Sequence, residues 1–379
     1  GLLSFDKKQP LFRTYSEPFR NVYPALGEAL TTLGNPGRVF YTKPATKMDF
    51  VIPADFKKYM SEGHYFSITR LNKEIAWLND AYNDGYYTYL TNKMTLFNDR
   101  YFIHTMYAEK FLNNNPELRA PYEEALKKAG FTKVFNRPGE IIRILYYQAK
   151  PSNYLIPLEE KTLIIGKHAY NYAAFQPDSY IAGSTYLDDY DLEFLQNFDS
   201  LVLYGFGYRD KTKAENLVKN FAKGGGRVII DLLNVEHSRL EAEDIFLGVQ
   251  SNKVVETKPL KLKISPYNNN LLPSTLDLPS TRNYGPDAIH RAKLTPIKEW
   301  RFTEYYNLDG ILVTRENPQD GDLYGLIGYK NIDGHKVWFL GGNIVYHAYL
   351  TRNQQEQDFL RSLTTNGHRQ ISSPKPTIT

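Results

Sequence analysis

The sequence predicts an α/β protein: a parallel-sheet domain over residues 162–368, preceded by a smaller α+β domain over residues 1–150. Three observations carry this expectation. Short, continuous apolar runs at 162–165, 200–204 and 227–230 read as strands buried on both faces. A strongly amphipathic helical pattern at 212–223 lies between the second and third of them, which makes a βαβ unit with a right-handed crossover. The 379 residues are long enough for two or three domains.

In the first domain, Leu71, Ile75, Leu78 and Tyr82 recur at helical spacing. A second helix is expected at 116–129, with Leu118, Tyr122, Ala125, Leu126 and Ala129 on one stripe and Gly130 as its stop. Strand-like runs lie at 100–106, 132–135 and 140–147. The stretch 148–161 contains Pro151 and Pro157 without periodicity, and the linker is placed at 151–161.

In the second domain, Leu192, Leu195 and Phe198 suggest a helix at 191–197. Ala214, Leu217, Val218, Phe221 and Ala222 fall at i, i+3, i+4, i+7 and i+8, and three glycines at 224–226 end that helix. Residues 251–330 read as a β-rich insertion. Its run 253–264 alternates, and 265–291, rich in Pro, Asn and Ser, reads as a long surface loop. The strand-like run 322–330 turns through 331–334 into 336–340, a hairpin. A last helix is expected at 354–362, and 369–379 is a loose polar tail.

Composition narrows the chemistry. Hydrophobic residues make up 42%, yet the mean hydropathy is −0.49. The two agree because 30 residues are tyrosine, apolar rings that carry a hydroxyl. There is no cysteine, which excludes disulfides, thiolate metal sites, iron–sulfur clusters and a cysteine nucleophile. A net charge of +4 with scattered charges is unlike a nucleic-acid binder, so no nucleic-acid partner is expected. No window of 18 apolar residues predicts a membrane span within the chain, and no leader pattern opens it. Gly1 in place of Met predicts a processed or excised segment. Absent cysteines fit an exported protein of Gram-positive type, and absent Asn-x-Ser/Thr sites argue against a glycosylated eukaryotic ectodomain.

The run DSLVLYGFGYRDKTKAENLVKNFAKGGGRVIID (199–231) resembles class I glutamine-amidotransferase-like (flavodoxin-like) domains. HKVWFLGGNIVYHAYL (335–350) looks like their closing strand and helix. Together with LFNDRYFI (96–103) and ALKKAGFTKVF (125–135), the chain is similar to the extracellular portion of bacterial multipass membrane proteins. Those are described as 6-pyruvoyl-tetrahydropterin synthase-related, with a glycosyltransferase-C-like membrane portion. The resemblance implies a cell-surface location and membrane helices outside this segment. It carries over no catalytic residue.

In an open parallel sheet, ligands bind beyond the carboxyl ends of the strands. Four loops are expected there, at 166–170, 205–210, 231–234 and 341–347. They carry His168, Tyr170, Tyr208, Arg209, Asp231, Asn234, Asn343 and His347. Two readings stand: a polar pocket for a sugar or small anion, or the ordinary polarity of strand-end loops. An amidotransferase places its nucleophile on the turn after a central strand. Here that turn reads Asp231, Leu232, Leu233 and Asn234, with no Cys, Ser or Thr, which excludes amide hydrolysis by the family's mechanism.

The remaining motifs are weaker. No two of the eight histidines lie at i, i+4, so no metal site or cofactor is expected. The glycines at 224–226 follow a helix rather than open one, and Gly205 and Gly207 lack the third glycine of a dinucleotide fingerprint. Asp188-Asp189 and Glu123-Glu124 are neighbours in sequence, too close to flank a glycosidic bond. Asp188 or Asp189 is expected to cap the helix that follows. Tyrosine clusters at 86–89, 146–147, 186 with 190, and 305–306 suit stacking on sugars, or packing at core margins.

The expected function is therefore a non-catalytic extracellular domain that binds or positions a cell-envelope glycan or protein partner beside a membrane-embedded transferase. The alternative is a hydrolase using His168, Asp231 and His347, which would require those side chains to converge.

Overall fold

The structure, a computed structural model, describes residues 28–29, 32–33, 38–42, 70–138, 142–149, 161–236, 245–264, 284–286, 289–290, 295–315 and 324–365. The chain divides into two compact units, Gly1–Ile156 and Pro157–Thr379. The linker expected at 151–161, apart from Lys161, and the tail at 369–379 lie outside the described residues.

The first unit carries a four-stranded sheet in the order β1-β2-β4-β3. Its strands are β1 (Arg38–Thr42), β2 (Asp99–Thr105), β3 (Phe131–Asn136) and β4 (Ile142–Gln148). β1 runs parallel to β2, and the other pairings are antiparallel. Among the described residues the helices α1 (Arg70–Asp84), α2 (Tyr87–Leu96), α3 (Met106–Asn114) and α4 (Arg119–Lys128) accompany it. The helix expected at 116–129 begins with a 3₁₀ turn at Pro116–Leu118, where proline costs no backbone donor. It buries Tyr122, Ala125 and Leu126, and Gly130, at φ 81°, ends it. α2 and α3 have no counterpart among the expected elements, because their rings and polar residues mask the apolar period.

Most described tyrosines of this unit are core, Tyr107 being exposed. Tyr82, Tyr87, Tyr101 and Tyr122 are all but fully buried and meet ring against ring, with Tyr82 to Tyr122 at 5.7 Å and Tyr87 to Tyr122 at 5.1 Å. The hydroxyl of Tyr82 donates to the Ala108 carbonyl at 3.1 Å. Tyr122 shares a hydrogen bond with His104 Nδ1 at 2.9 Å. The clusters at 86–89 and 146–147 therefore offer no open stacking face. Their residues Tyr86, Tyr87, Tyr89, Tyr146 and Tyr147 are buried. Burial pushes the His104 imidazole down to about 4, against the pull of Glu109 beside it.

The second unit is mixed α/β. Its eight-stranded sheet has the order β11-β15-β16-β17-β8-β7-β5-β6. β5 (Thr162–Ile165), β6 (Tyr180–Ile181), β7 (Ser200–Tyr204), β8 (Arg227–Asp231) and β17 (His335–Leu340) are mutually parallel. β16 (Ile327–Ile332), β15 (Gly310–Arg315) and β11 (Leu262–Ile264) extend the sheet antiparallel beyond β17. Every residue of β5 and β7 is buried, as expected of strands covered on both faces. Helices α5 (Ala169–Ala173), α6 (Leu192–Leu195), α7 (Lys211–Lys223), α8 (Ile344–Thr351) and α9 (Gln354–Thr364) complete the unit. α7 buries all five of its expected apolar positions and is capped by Asp210, whose carboxylate accepts the Lys213 amide at 3.0 Å.

Within the insertion, the hairpin expected at 331–334 forms through Asp333 (φ 49°) and Gly334 (φ 84°), the left-handed pair of a tight two-residue turn. The alternating run 253–264 is not one strand. β10 (Val249–Glu256) joins β9 (Ile245–Phe246) and β14 (Trp300–Tyr306) in a separate antiparallel sheet, while β11 enters the main one. A further pair, β12 (Ile289–His290) and β13 (Thr295–Pro296), is antiparallel. The expectation of a surface loop at 265–291 fails at Tyr284, which is buried; residues 265–283 lie outside the described residues.

Candidate functional site at the carboxyl edge of the sheet

The four loops expected at the carboxyl edge do gather there, and they form two different environments. Over β8 and β17 the edge is closed. Trp300, Thr303 and Tyr305 come from β14, and Tyr284 from the insertion. The Tyr305 hydroxyl accepts the Leu232 amide at 3.0 Å and donates to the Leu340 carbonyl at 2.7 Å. Gly342 donates its amide to the Thr303 carbonyl at 2.9 Å, and its carbonyl accepts from Tyr284 Oη and Trp300 Nε1, each at 2.9 Å.

Asp231 and His347 lie beneath this cover, both almost fully buried. Asp231 Oδ1 accepts the Leu233 amide at 2.7 Å, and Oδ2 has no hydrogen-bond partner among the described residues. Burial pushes its carboxyl up to about 7, although the Leu233 amide favours the charged form. His347 Nδ1 meets Glu356 Oε2 at 2.8 Å, and its ring stacks on Tyr284 at 4.1 Å. His347 Nε2 has no hydrogen-bond partner among the described residues. Asn343 sits at φ 54°, a conformation asparagine adopts at modest cost. Its Oδ1 accepts from the buried Tyr204 hydroxyl at 3.2 Å, and its Nδ2 donates to the Arg301 carbonyl at 3.1 Å.

Over β5 and β7 no such cover forms among the described residues, and Lys167 and Arg209 are exposed there. Gly166 has φ 139°, and a Cβ there would lie 2.0 Å from the Tyr204 carbonyl oxygen, so only glycine lets the two loops approach. Beyond β7 the chain passes between its neighbours, with Gly207 bridging Tyr186 on one side and Glu236 on the other. That short ladder sets a chain of side chains on the rim. Lys167 Nζ donates to Glu236 Oε1 at 2.9 Å, and the Tyr186 hydroxyl donates to Glu236 Oε2 at 3.4 Å. The Arg209 guanidinium lies 4.1 Å from the Tyr186 ring centre and pairs with Asp189. The half-buried His168 ring stands 5.6 Å from the Tyr204 ring. Lys167 holds the Glu236 carboxyl below its usual range; burial lowers the His168 imidazole, with Lys167 adding to it.

Of the expected site residues, His168, Arg209 and Asn234 lie on the open side of the edge, Asn234 in a left-handed turn at φ 62°. Asp231, Asn343 and His347 lie under the aromatic cover. Tyr170 and Tyr208 pack inside, Tyr170 against Tyr349 at 5.6 Å and Tyr208 against Phe246 at 5.6 Å. Lys167, Tyr186 and Glu236 were not among the candidates. Lys167 stands directly beside His168 and Glu236 two residues after Asn234, while Tyr186 carries only its cluster as a signal.

Asp188 corrects an expectation. It does not cap the helix after it: Asp191 caps α6, accepting the Phe194 amide at 2.8 Å. Asp188 Oδ2 instead reaches the start of α7 and accepts the Arg209 and Asp210 amides at 3.0 and 2.9 Å. Among the described residues, no three His, Asp or Glu side chains group as a metal site, and no helix is long and apolar enough to cross a membrane.

A family model described as a domain of unknown function (DUF8560) matches residues 161–278. The match starts at β5, takes in the parallel strands up to β8, and stops short of β17. No curated protein matches the chain.

Proposed function

We propose that the second unit is a flavodoxin-like, class I glutamine-amidotransferase-like domain that has kept the scaffold without the hydrolytic chemistry. In this reading it binds a cell-envelope glycan at the Lys167–Arg209 rim, on the extracellular side of a bacterial membrane protein whose membrane helices lie outside this segment. Taken in chain order, the parallel strands β6-β5-β7-β8-β17 read 2-1-3-4-5, the order of flavodoxin-like sheets. The reversal of order falls between β5 and β7, where ligands of such sheets bind and where Lys167 and Arg209 are exposed.

The observation that carries the non-catalytic reading is the state of the turn after β8. It offers no hydroxyl or thiol, and its amides at Leu232 and Leu233 are engaged, by Tyr305 and by Asp231. A nucleophile and an oxyanion-binding donor are what acyl transfer needs at that place. The test pairs two measurements on the full chain. Glutamine is incubated with it and glutamate release followed; none is expected, and sustained release would overturn the reading. Purified cell-wall polysaccharide fragments are then titrated, with binding expected for the native chain and lost on Arg209→Ala. A failure of every fragment to bind the native chain removes the glycan.

One observation favours the second reading, the hydrolase using His168, Asp231 and His347, although His168 lies on the open side of the edge and the other two beneath the cover. Asp231 Oδ2 and His347 Nε2 are both buried without hydrogen-bond partners among the described residues, and Glu356 orients the imidazole. Ester hydrolysis abolished by both Asp231→Asn and His347→Gln would favour it over binding alone.

A further inference from the structure

A second surface of the same unit has a different character. The main sheet ends at β6, and beside that edge four rings form a row. Tyr180 meets Phe198 at 5.7 Å, Phe198 meets Phe194 at 5.5 Å, and Phe194 stacks on Tyr190 at 5.1 Å. Tyr180 remains 45% exposed and Phe194 39%, high values for rings that already pack against one another.

The chain segment that carries this row is acidic, with Arg209 and Lys213 beside it at Asp188–Asp189. Residues 169–208 contain six acidic residues and not one Lys, Arg or His, in a chain whose net charge is +4. Five of the six, Asp178, Asp189, Asp191, Glu193 and Asp199, are exposed. Arg209 and the Ser184 hydroxyl meet Asp189, the Phe194 amide meets Asp191, and the Lys161 amide meets Asp199. The face thus joins exposed aromatic surface to a negative field, on a molecule that is otherwise mildly basic.

We propose that this face docks an extended polypeptide segment bearing Lys or Arg. Such side chains lay their aliphatic stems against rings while the cation reaches a carboxylate or a ring face. The ring geometry favours this over a sugar. Tyr180 and Phe198 cross at 71°, and Phe198 and Phe194 at 61°, so that, the stacked Phe194–Tyr190 pair apart, the row is not one flat platform for a pyranose. Charge complementarity of this kind also steers encounter and rejects acidic partners. The inference is independent of what binds at the Lys167–Arg209 rim.

The test uses the full chain and fluorescein-labelled peptides of alternating Lys and Val or of alternating Glu and Val, with a neutral chitin hexasaccharide alongside. Anisotropy at 50 mM salt should show binding of the Lys peptide alone, weakening at least about tenfold at 500 mM salt, where screening shortens the reach of charge. Tyr180→Ser with Phe194→Ser keeps every charge and should weaken binding at least about tenfold. Glu193→Lys, on an exposed helical position, should do the same without touching the rings, and it decides the matter if the double variant fails to fold. Absence of Lys-peptide binding, equal binding of the Glu peptide, tighter binding of the hexasaccharide, or indifference to Glu193→Lys would each overturn the proposal.

Discussion

Tyr305 Oη lies 3.0 Å from the amide nitrogen of Leu232 and 2.7 Å from the carbonyl oxygen of Leu340, so one hydroxyl joins the ends of two parallel strands. Thr303 Oγ1 is a third neighbour at 3.1 Å. A buried donor and a buried acceptor both depend on this hydroxyl, far from water.

Tyr305→Phe removes the hydroxyl and keeps the ring. Leu232 N–H and the Leu340 carbonyl then lose their partner in a dry interior, at a cost of about 1–3 kcal/mol. Urea unfolding should show the midpoint falling with an unchanged slope. Glutamine hydrolysis should not appear, because freeing the amide supplies no nucleophile.

The carboxyl of Asp231 is raised to about 7 in the folded chain, from an ordinary value near 4. The folded state therefore holds a proton that the unfolded state releases. This contribution is fully present below about pH 4 and is lost as pH rises toward 7, at most about 4 kcal/mol. Asp231→Asn keeps an acceptor for Leu233 and removes the charge. It should raise stability at pH 8 and flatten the slope between pH 4 and 7, as read by thermal melts across that range.

His104 has the opposite sign. Its imidazole is pushed down to about 4 in the fold. The stability tied to the neutral ring is present above about pH 6.5 and lost as pH falls toward 4, at most about 3 kcal/mol. NMR of the ring carbons should show His104 neutral at pH 5.5, where an exposed histidine is mostly charged.

Two glycines with left-handed backbone make a matched pair. At Gly166 a Cβ meets the Tyr204 carbonyl at 2.0 Å, while at Gly225, φ 91°, it meets nothing within 4 Å. Gly225→Ala should cost about 1 kcal/mol, the backbone preference alone. Gly166→Ala adds a clash with main chain and should cost well over about 2 kcal/mol. Comparing the two melts isolates the price of the loop approach.

Asp188 holds two amides at the start of α7. Asp188→Ala should destabilise the second unit by about 1–2 kcal/mol, with loosening confined to the 186–189 and 207–211 loops. Hydrogen exchange at Arg209 and Asp210 would report it directly.

α7 was legible because five apolar residues repeat at the helical period and glycines close the run. β5, β7 and β8 were legible because strands covered on both faces carry no polar interruption. β14 was not. Its sequence WRFTEYY sets Thr and Glu in mid-strand, where Thr303 and Glu304 are buried and Glu304 pairs with Arg315 on β15. A strand whose polar face is satisfied by a distant arginine gives no periodic signal. The site shows the same limit. The strand-end rule brought Asp231, His347 and His168 to one edge. Only the return of Tyr284 and Tyr305 decides which of them meets solvent, and those residues come from the insertion.

The order of the strands also sets a timetable for biosynthesis. β8 ends at Asp231, but its partner β17 begins only at His335. α9 arrives later still, and its last turns accept from Tyr172 and Ser200 at Leu360 O and Thr364 O, at 2.7 and 2.8 Å. A nascent chain thus carries the apolar edge Arg227–Asp231 without its neighbour until nearly the whole unit has left the ribosome. Chains that stop before 335 leave that edge unpaired and should aggregate rather than fold.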